Sequence, residues 1–249
     1  EYAKGKIDLN IEIKNLGNQT GYIDKESLPT LGTVSRNENG YPIGYFFGYK
    51  AIGVFQTQEE IDNYISPATG KPIQPNAAPG DTKFEDLNGD GVISDDNEDR
   101  TMIGKPNPDW MVGLTVAADW NGFDLSAFFQ GSFGADVFDA LRRYELAAVN
   151  YTSDALERWT GPGTSNSMPR IVLGDTPKNF RPSTLLVHDA SFLRLRNLQV
   201  GYTLPAQLTR KAYIQRLRFY ASFDNLLTIT GYKGMDPEIG STMGIDKGV

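Results

Sequence analysis

Trp110 to Phe133 reads WMVGLTVAADWNGFDLSAFFQGSF, two alternating arms that meet at Asn121-Gly122. Asn-Gly between alternating segments is the strongest short hairpin signal, because a type I′ turn needs positive φ at both central residues. With the turn there, Trp120 faces Phe123, Val116 faces Ala127, Leu114 faces Phe129 and Trp110 faces Phe133, and this whole face is apolar. The other face carries Asp119 with Asp124, Ala117 with Ser126, Thr115 with Phe128 and Gly113 with Gln130, mostly small or polar residues. A soluble sandwich shows the same two faces, so length must decide. Each arm runs about twice the usual soluble strand of roughly 5–6 residues. Ten steps of about 3.3 Å, tilted by about 40°, project to roughly 25 Å, the height of the apolar band of a membrane barrel, with aromatic residues at both rims.

Outward from this hairpin the same grammar recurs. Ile7, Leu9, Ile11 and Ile13 alternate with Asp8, Asn10 and Glu12. In SFLRLRNLQVGYTL the apolar parity switches between Leu195 and Leu198, which a bulge near Arg196 or Asn197 reconciles. In RLRFYASFDNLLTI the odd positions from Leu217 to Ile229 are apolar apart from Asn225. Two long segments rich in Gly, Pro, Asn and Asp separate these strands, roughly residues 15–108 and 141–187. A barrel accommodates them as extracellular loops, opposite short periplasmic turns. Short helices are expected in them at Gln56–Ile65, at Ala140–Val149 and in the run to Trp159, whereas AAPGDTKFE reads as turn.

Composition narrows the classes. The chain has 249 residues, a formal charge of −7, 39% hydrophobic residues, one histidine and no cysteine. Basic residues are scattered, which argues against a nucleic-acid partner. The absence of cysteine excludes disulfides and thiolate sites. No run of 18 apolar residues offers a spanning helix, a test that barrel strands do not meet. The sequence enters alternation almost at once without a signal peptide, so the later part of a longer polypeptide is expected.

The most specific local motif is DLNGDGVISDDNEDR, Asp86 to Arg100. A calcium loop needs hard oxygen ligands at positions one, three and five, glycine at six and a carbonyl at seven. These fall on Asp86, Asn88, Asp90, Gly91 and Val92. Position twelve is Asn97, a poor bidentate ligand, so the closing carboxylate is sought among Asp95, Asp96, Glu98 and Asp99. No amphipathic helix precedes the loop. The expected cation is therefore structural Ca2+, held by Asp86, Asn88, Asp90 and Val92 with Asp95 or Asp99, and the alternative is an acidic turn without an ion. No catalytic constellation is present: His188 has no second histidine or cysteine to join it, and no glycosidase carboxylate pair can be picked out, so an enzyme is not expected. Loop aromatics Tyr45, Phe46, Phe47, Tyr49, Tyr144, Tyr151 and Trp159 are expected to pack the loops together, with stacking on sugar as the alternative.

Four stretches taken together resemble one family: YPIGYFFGYKAIGVFQTQEEID (41–62), Pro79 to Thr115, FLRLRNLQVGYTLP (192–205) and LRFYASFDNLLTITGYKGMDPE (217–238). They resemble SusC/RagA-class TonB-dependent outer-membrane transporters, of which this chain looks like the C-terminal part of the barrel. The resemblance implies an all-β fold, a portion of an antiparallel transmembrane barrel of about 22 strands with long extracellular loops. It implies import of oligosaccharides or peptides, a SusD-like surface lipoprotein as lid, and TonB engaged through an N-terminal part absent here. The family's Asp-Asn-Asp-Gly loop maps onto Asp86, Asn88, Asp90 and Gly91. Its closing Asp-Arg-Thr maps onto Asp99, Arg100 and Thr101, two residues later than a standard calcium loop. A soluble calcium-stabilised β-sandwich that binds carbohydrate is the first rival and a glycan hydrolase module the second.

Overall fold

The computed structural model describes residues 6–16, 34–38, 40–95, 98–140, 150–234 and 236–238. Its strands are β1 (Lys6–Asn15), β2 (Ser35–Arg36), β3 (Tyr45–Tyr49), β4 (Ala51–Val54), β5 (Thr82–Phe84) and β6 (Arg100–Gly104). They continue as β7 (Trp110–Trp120), β8 (Phe123–Phe133), β9 (Asp136–Phe138), β10 (Val187–Asp189), β11 (Phe192–Thr203) and β12 (Arg218–Thr230). The helices are α1 (Gln58–Asn63) and α2 (Ala206–Thr209). The chain forms two compact units, one of Glu1–Gln19, Asn107–Ala135 and Asp189–Glu238, the other of Thr20–Pro106, Asp136–His188 and Ile239–Val249.

The first unit is a five-stranded sheet in the order β1-β7-β8-β11-β12, every long strand antiparallel to its neighbour. The hairpin has the register its turn dictates, from Trp120 opposite Phe123 to Trp110 opposite Phe133. Asn121 and Gly122 both have positive φ, 48° and 87°, as a type I′ turn requires. The parity switch in β11 is a register shift between Leu195 and Asn197 against both neighbours. Apolar side chains therefore stay in line across the sheet. One row is Leu9, Val116, Ala127, Leu198 and Phe223, and the next is Ile11, Leu114, Phe129, Leu195 and Leu227.

The second unit folds the two Gly/Pro-rich segments around their own core of Tyr45, Phe46, Tyr49, Val54, Phe55, Ile61, Ile73 and Phe84, joined by Val137, Met168 and Leu186. Small sheets β2-β3-β6, β4-β5 and β10-β9 frame it. Tyr49 meets Phe84 at 5.7 Å between ring centres and Phe55 meets Tyr64 at 5.9 Å, the spacing at which aromatic edges and faces attract. Tyr45, Phe46 and Tyr49 thus pack as core, Trp159 is half-buried and Tyr151 lies exposed. Tyr144 falls outside the described residues.

Helix α1 is shorter than its apolar pattern suggested. The Thr57 hydroxyl caps it by accepting from the Glu60 amide, and the Tyr64 amide closes it on the Ile61 carbonyl. The run to Trp159 forms a 3-10 turn, Ser153–Glu157, while the helix expected at 140–149 falls on residues outside the description. The turn-like AAPGDTKFE ends in strand β5, because β4 offers it a partner, with Val54 opposite Thr82. Local sequence does not reveal such a partner. Among the described residues no helix is long and apolar enough to cross a membrane.

Candidate functional site

The apolar face of the five-stranded sheet is open to its surroundings. Ile7 is 72% exposed, Leu9 65%, Phe219 62% and Ile229 60%. A contiguous apolar surface of this breadth is not left in water by a soluble protein, and a sandwich would cover it with a second sheet. The opposite face is polar at matching levels, with rows such as Asp8, Ala117, Ser126, Gln199 and Ser222, or Glu12, Gly113, Gln130, Arg194 and Thr228.

The bulge in β11 has a chemical result on that polar face. Leu195 and Leu198 stay in the apolar rows, so the additional residue, Arg196, is spent on the polar side beside Arg194. Arg194 donates to Thr228 Oγ1 (2.9 Å), Asp236 Oδ1 (2.7 Å) and Glu238 Oε2 (3.0 Å). Arg196 donates to Gln130 Oε1 (2.8 Å), to Asn225 Oδ1 (3.2 Å) and to the other Glu238 oxygen. Glu238 therefore bridges both guanidinium groups, and the segment after β12 is tied to the wall. Partial burial opposes ionisation of Asp236, but the Glu238 amide and Arg194 outweigh it and hold its carboxyl below the usual carboxylate range. The alternation of Arg194 and Arg196 with leucines in SFLRLRN is a local sign of a polar face, but nothing local pairs them with carboxylates some forty residues later.

In the second unit the acidic loop curls on its own side chains. Asp86 accepts from the Gly89 and Gly91 amides (2.7 and 2.8 Å), the Asn88 carbonyl oxygen from the Asp90 amide (2.9 Å), and Asp90 from the Val92 amide (2.8 Å). Gly91 has φ +88°, and a Cβ there would stand 2.8 Å from Ser66, so glycine is required at this position. Asp99 is fully buried and accepts from the Leu87 and Ser94 amides and the Ser94 hydroxyl. It closes the loop from two residues beyond the standard twelfth position. Asp95 turns outward to Lys178 and Arg181. Its bond from Lys178 holds its carboxyl below the ordinary range, against a smaller opposing effect of burial. Glu98 and Asp90 converge on the Asn88 amide nitrogen, at 3.0 and 2.9 Å. Among the described residues no three His, Cys, Asp or Glu side chains are gathered in metal-binding geometry. His188 lies 3.9 Å from Asp139.

The two long segments interlock through a buried polar centre that the sequence did not disclose. Asp81, 2% exposed, accepts Arg170 Nε at 2.6 Å and Nη2 at 3.1 Å, Asn179 Nδ2 at 3.0 Å and the Ala78 amide at 2.8 Å. Asn179 also accepts from the Thr82 amide. Gln56 takes the Trp159 indole N–H and the Gly163 amide on one oxygen.

No protein-family model matches the chain. TonB-dependent receptor P3 of Formosa agariphila is 36% identical over 200 residues, 80% of this chain and 19% of that protein. TonB-dependent receptor SusC of Bacteroides thetaiotaomicron is 29% identical over 91% of the chain and 21% of its own length. The chain superposes on a structure of the RagAB peptide transporter with a TM-score of 0.60 and 28% identity, covering 85% of this chain and 22% of that one. Along most of its length the chain is similar to TonB-dependent receptors, SusC among them. It spans about a fifth of the length of the curated relatives it matches. It is an outer-membrane segment of the antiparallel barrel type, and a bare apolar face over long strands is what lipid covers in such barrels. The rival sandwich fails on these relatives and on the bare apolar face.

Proposed function

We propose that the protein containing this chain imports oligosaccharides or peptides across the outer membrane, powered through TonB and covered by a SusD-like surface lipoprotein. This chain contributes wall strands β1, β7, β8, β11 and β12, and the segments 15–108 and 141–187 are the extracellular mass that meets substrate and lid. The observation that carries the reading is the pairing of an exposed apolar face with a hydrogen-bonded polar face over strands of 10–13 residues. Resemblance to the RagAB peptide transporter and to SusC supports transport over catalysis. The test is deletion of the gene, followed by growth on oligosaccharide mixtures and on peptide mixtures as sole nutrients, with uptake of labelled substrate. Loss of uptake of one class, restored by the intact gene, supports import. Unchanged uptake of both classes overturns it.

We infer further that the loop at 86–99 takes a structural Ca2+. The donor chemistry fits a hard cation: carboxylates of Asp86 and Asp90, the Asn88 side-chain oxygen and the Val92 carbonyl lie in the required order. Asp90 and Glu98 already converge on one positively polarised group, the Asn88 amide. Of the two closing ligands named from sequence, Asp99 borders the loop and Asp95 is held by Lys178. Hydrogen exchange of amides 87–95 in the full-length protein, with Ca2+ and then with chelator, tests this. Slower exchange with Ca2+ that is lost in Asp90→Asn supports the ion, and identical exchange with and without Ca2+ overturns it.

A further inference from the structure

From Ala190 to Phe223 the sequence contains no Asp or Glu but carries Arg194, Arg196, Arg210, Lys211, Arg216 and Arg218, in a chain of net charge −7. Three of these cations are accounted for. Arg194 and Arg196 are bridged by Asp236 and Glu238, and Arg218 is held by Asp124. The remaining three, Arg210, Lys211 and Arg216, lie exposed in the connection between β11 and β12, Arg216 within electrostatic reach of Asp124. That connection, Leu204 to Leu217, is far longer than the two-residue turn beside it.

The connection is locally ordered. Helix α2 runs into a 3-10 turn at Arg210–Ala212. Tyr213 then adopts a left-handed conformation, φ 57°, its amide bonded to the Arg210 carbonyl at 3.1 Å, and the Ile214 amide returns to Thr209 at 3.1 Å. The left-handed residue and these two amide bonds form the αL cap with which helices commonly end, and here it leaves the tyrosine ring 99% exposed. Leu208 is 56% exposed. A fully exposed aromatic ring among cations, beside an exposed leucine, points to something that receives the ring.

The rim on which this turn stands identifies the recipient. The Thr203 amide donates to the Gly122 carbonyl at 2.7 Å, so the connection rises beside the Asn121-Gly122 turn. Trp120 and Phe219, both more than 60% exposed, end the apolar rows at that rim. Tyrosine and tryptophan with arginine and lysine just beyond an apolar band are the side chains that settle at a membrane interface. We propose that the β11–β12 connection is an interfacial anchor that seats Leu208 and Tyr213 in the headgroup layer and draws anionic phospholipid to Arg210, Lys211 and Arg216. The partner is a phospholipid leaflet, continuous with the lipid against the wall, rather than an acidic protein.

This rests on the barrel-wall reading, which fails separately if the full-length protein does not enter lipid discs. The experiment places a single cysteine at exposed Gln215 of that protein, with any native cysteine changed to serine. It is reconstituted in discs of phosphatidylcholine alone or with phosphatidylglycerol. The rate of labelling by a water-soluble maleimide is read. Each basic residue near an anionic surface changes occupancy by roughly fivefold, so labelling is expected to slow on the order of tenfold or more in the anionic discs. That slowing should vanish in Arg210→Gln/Lys211→Gln/Arg216→Gln and persist in Arg210→Lys/Arg216→Lys. Equal rates in both discs overturn the proposal, as does slowing that survives the triple glutamine change. Protection found in native outer membranes but not in discs overturns it in favour of a protein partner.

Discussion

Replacing Asp81 with alanine should loosen the second unit without touching the wall. Asp81 receives four donors from three residues: two from Arg170, one from Asn179 and one from the Ala78 amide. Arg170 is about one-third exposed and recovers hydration, and Asn179 Nδ2 keeps a second acceptor in the Arg170 carbonyl at 3.3 Å. The Ala78 amide has no such substitute. Breaking a buried charged pair by removing one member costs roughly 3–5 kcal/mol. With the partial rehydration of Arg170, about 3 kcal/mol is expected. At about 1.4 kcal/mol per factor of ten, that is roughly a hundredfold faster opening. Hydrogen exchange of the full-length protein reads it directly at the Arg170 amide, bonded to the Gly80 carbonyl, and the Thr82 amide, bonded to Asn179. Amides of β7 and β8 should exchange as before. A change below threefold at Arg170, or equal acceleration in β7 and β8, would refute the reasoning that this centre ties the two segments together.

The lipid-facing assignment predicts that Leu9→Arg destabilises the assembled barrel by about 2–4 kcal/mol, whereas Asn10→Arg, one residue away on the polar face, costs little. Heat-modifiable gel mobility or denaturant titration in detergent separates the two, and equal effects would refute the face assignment. Gly122→Ala should slow or weaken hairpin formation, because φ is 87° and the new Cβ would stand 2.8 Å from the Thr203 carbonyl oxygen. A cost of about 1–3 kcal/mol is expected, read as a lower denaturation midpoint. Asp95 has its carboxyl lowered by Lys178, so this pair contributes above the ordinary carboxylate range near pH 4 and is lost as pH falls through the lowered value. Being exposed, it should be worth under about 1 kcal/mol and fade in high salt. Titration of the Asp95 carboxyl followed by carbon-13 NMR checks it, with Lys178→Gln expected to raise the midpoint toward the ordinary carboxylate range.

The sequence by itself determined the wall. An Asn-Gly turn admits one register, period-two alternation then assigns each side chain a face, and the parity break between Leu195 and Leu198 demands a bulge. All of these are short-range constraints, so they are written within a few residues of where they act. The order of oxygen donors from Asp86 to Val92 was legible for the same reason. What closes that loop was not, because Asp99 reaches it only by burial and Asp95 is drawn away by Lys178, more than eighty residues on. The second unit shows the limit most clearly. Its segments read as loops because glycine and proline interrupt every period, yet they hold a core of buried aromatics and the Asp81, Arg170 and Asn179 centre. Those contacts join residues nearly a hundred positions apart, and a pairing at that separation leaves no periodicity in the chain. Only the tertiary structure could bring them together, just as it alone set Arg196 and Glu238 face to face on the polar wall.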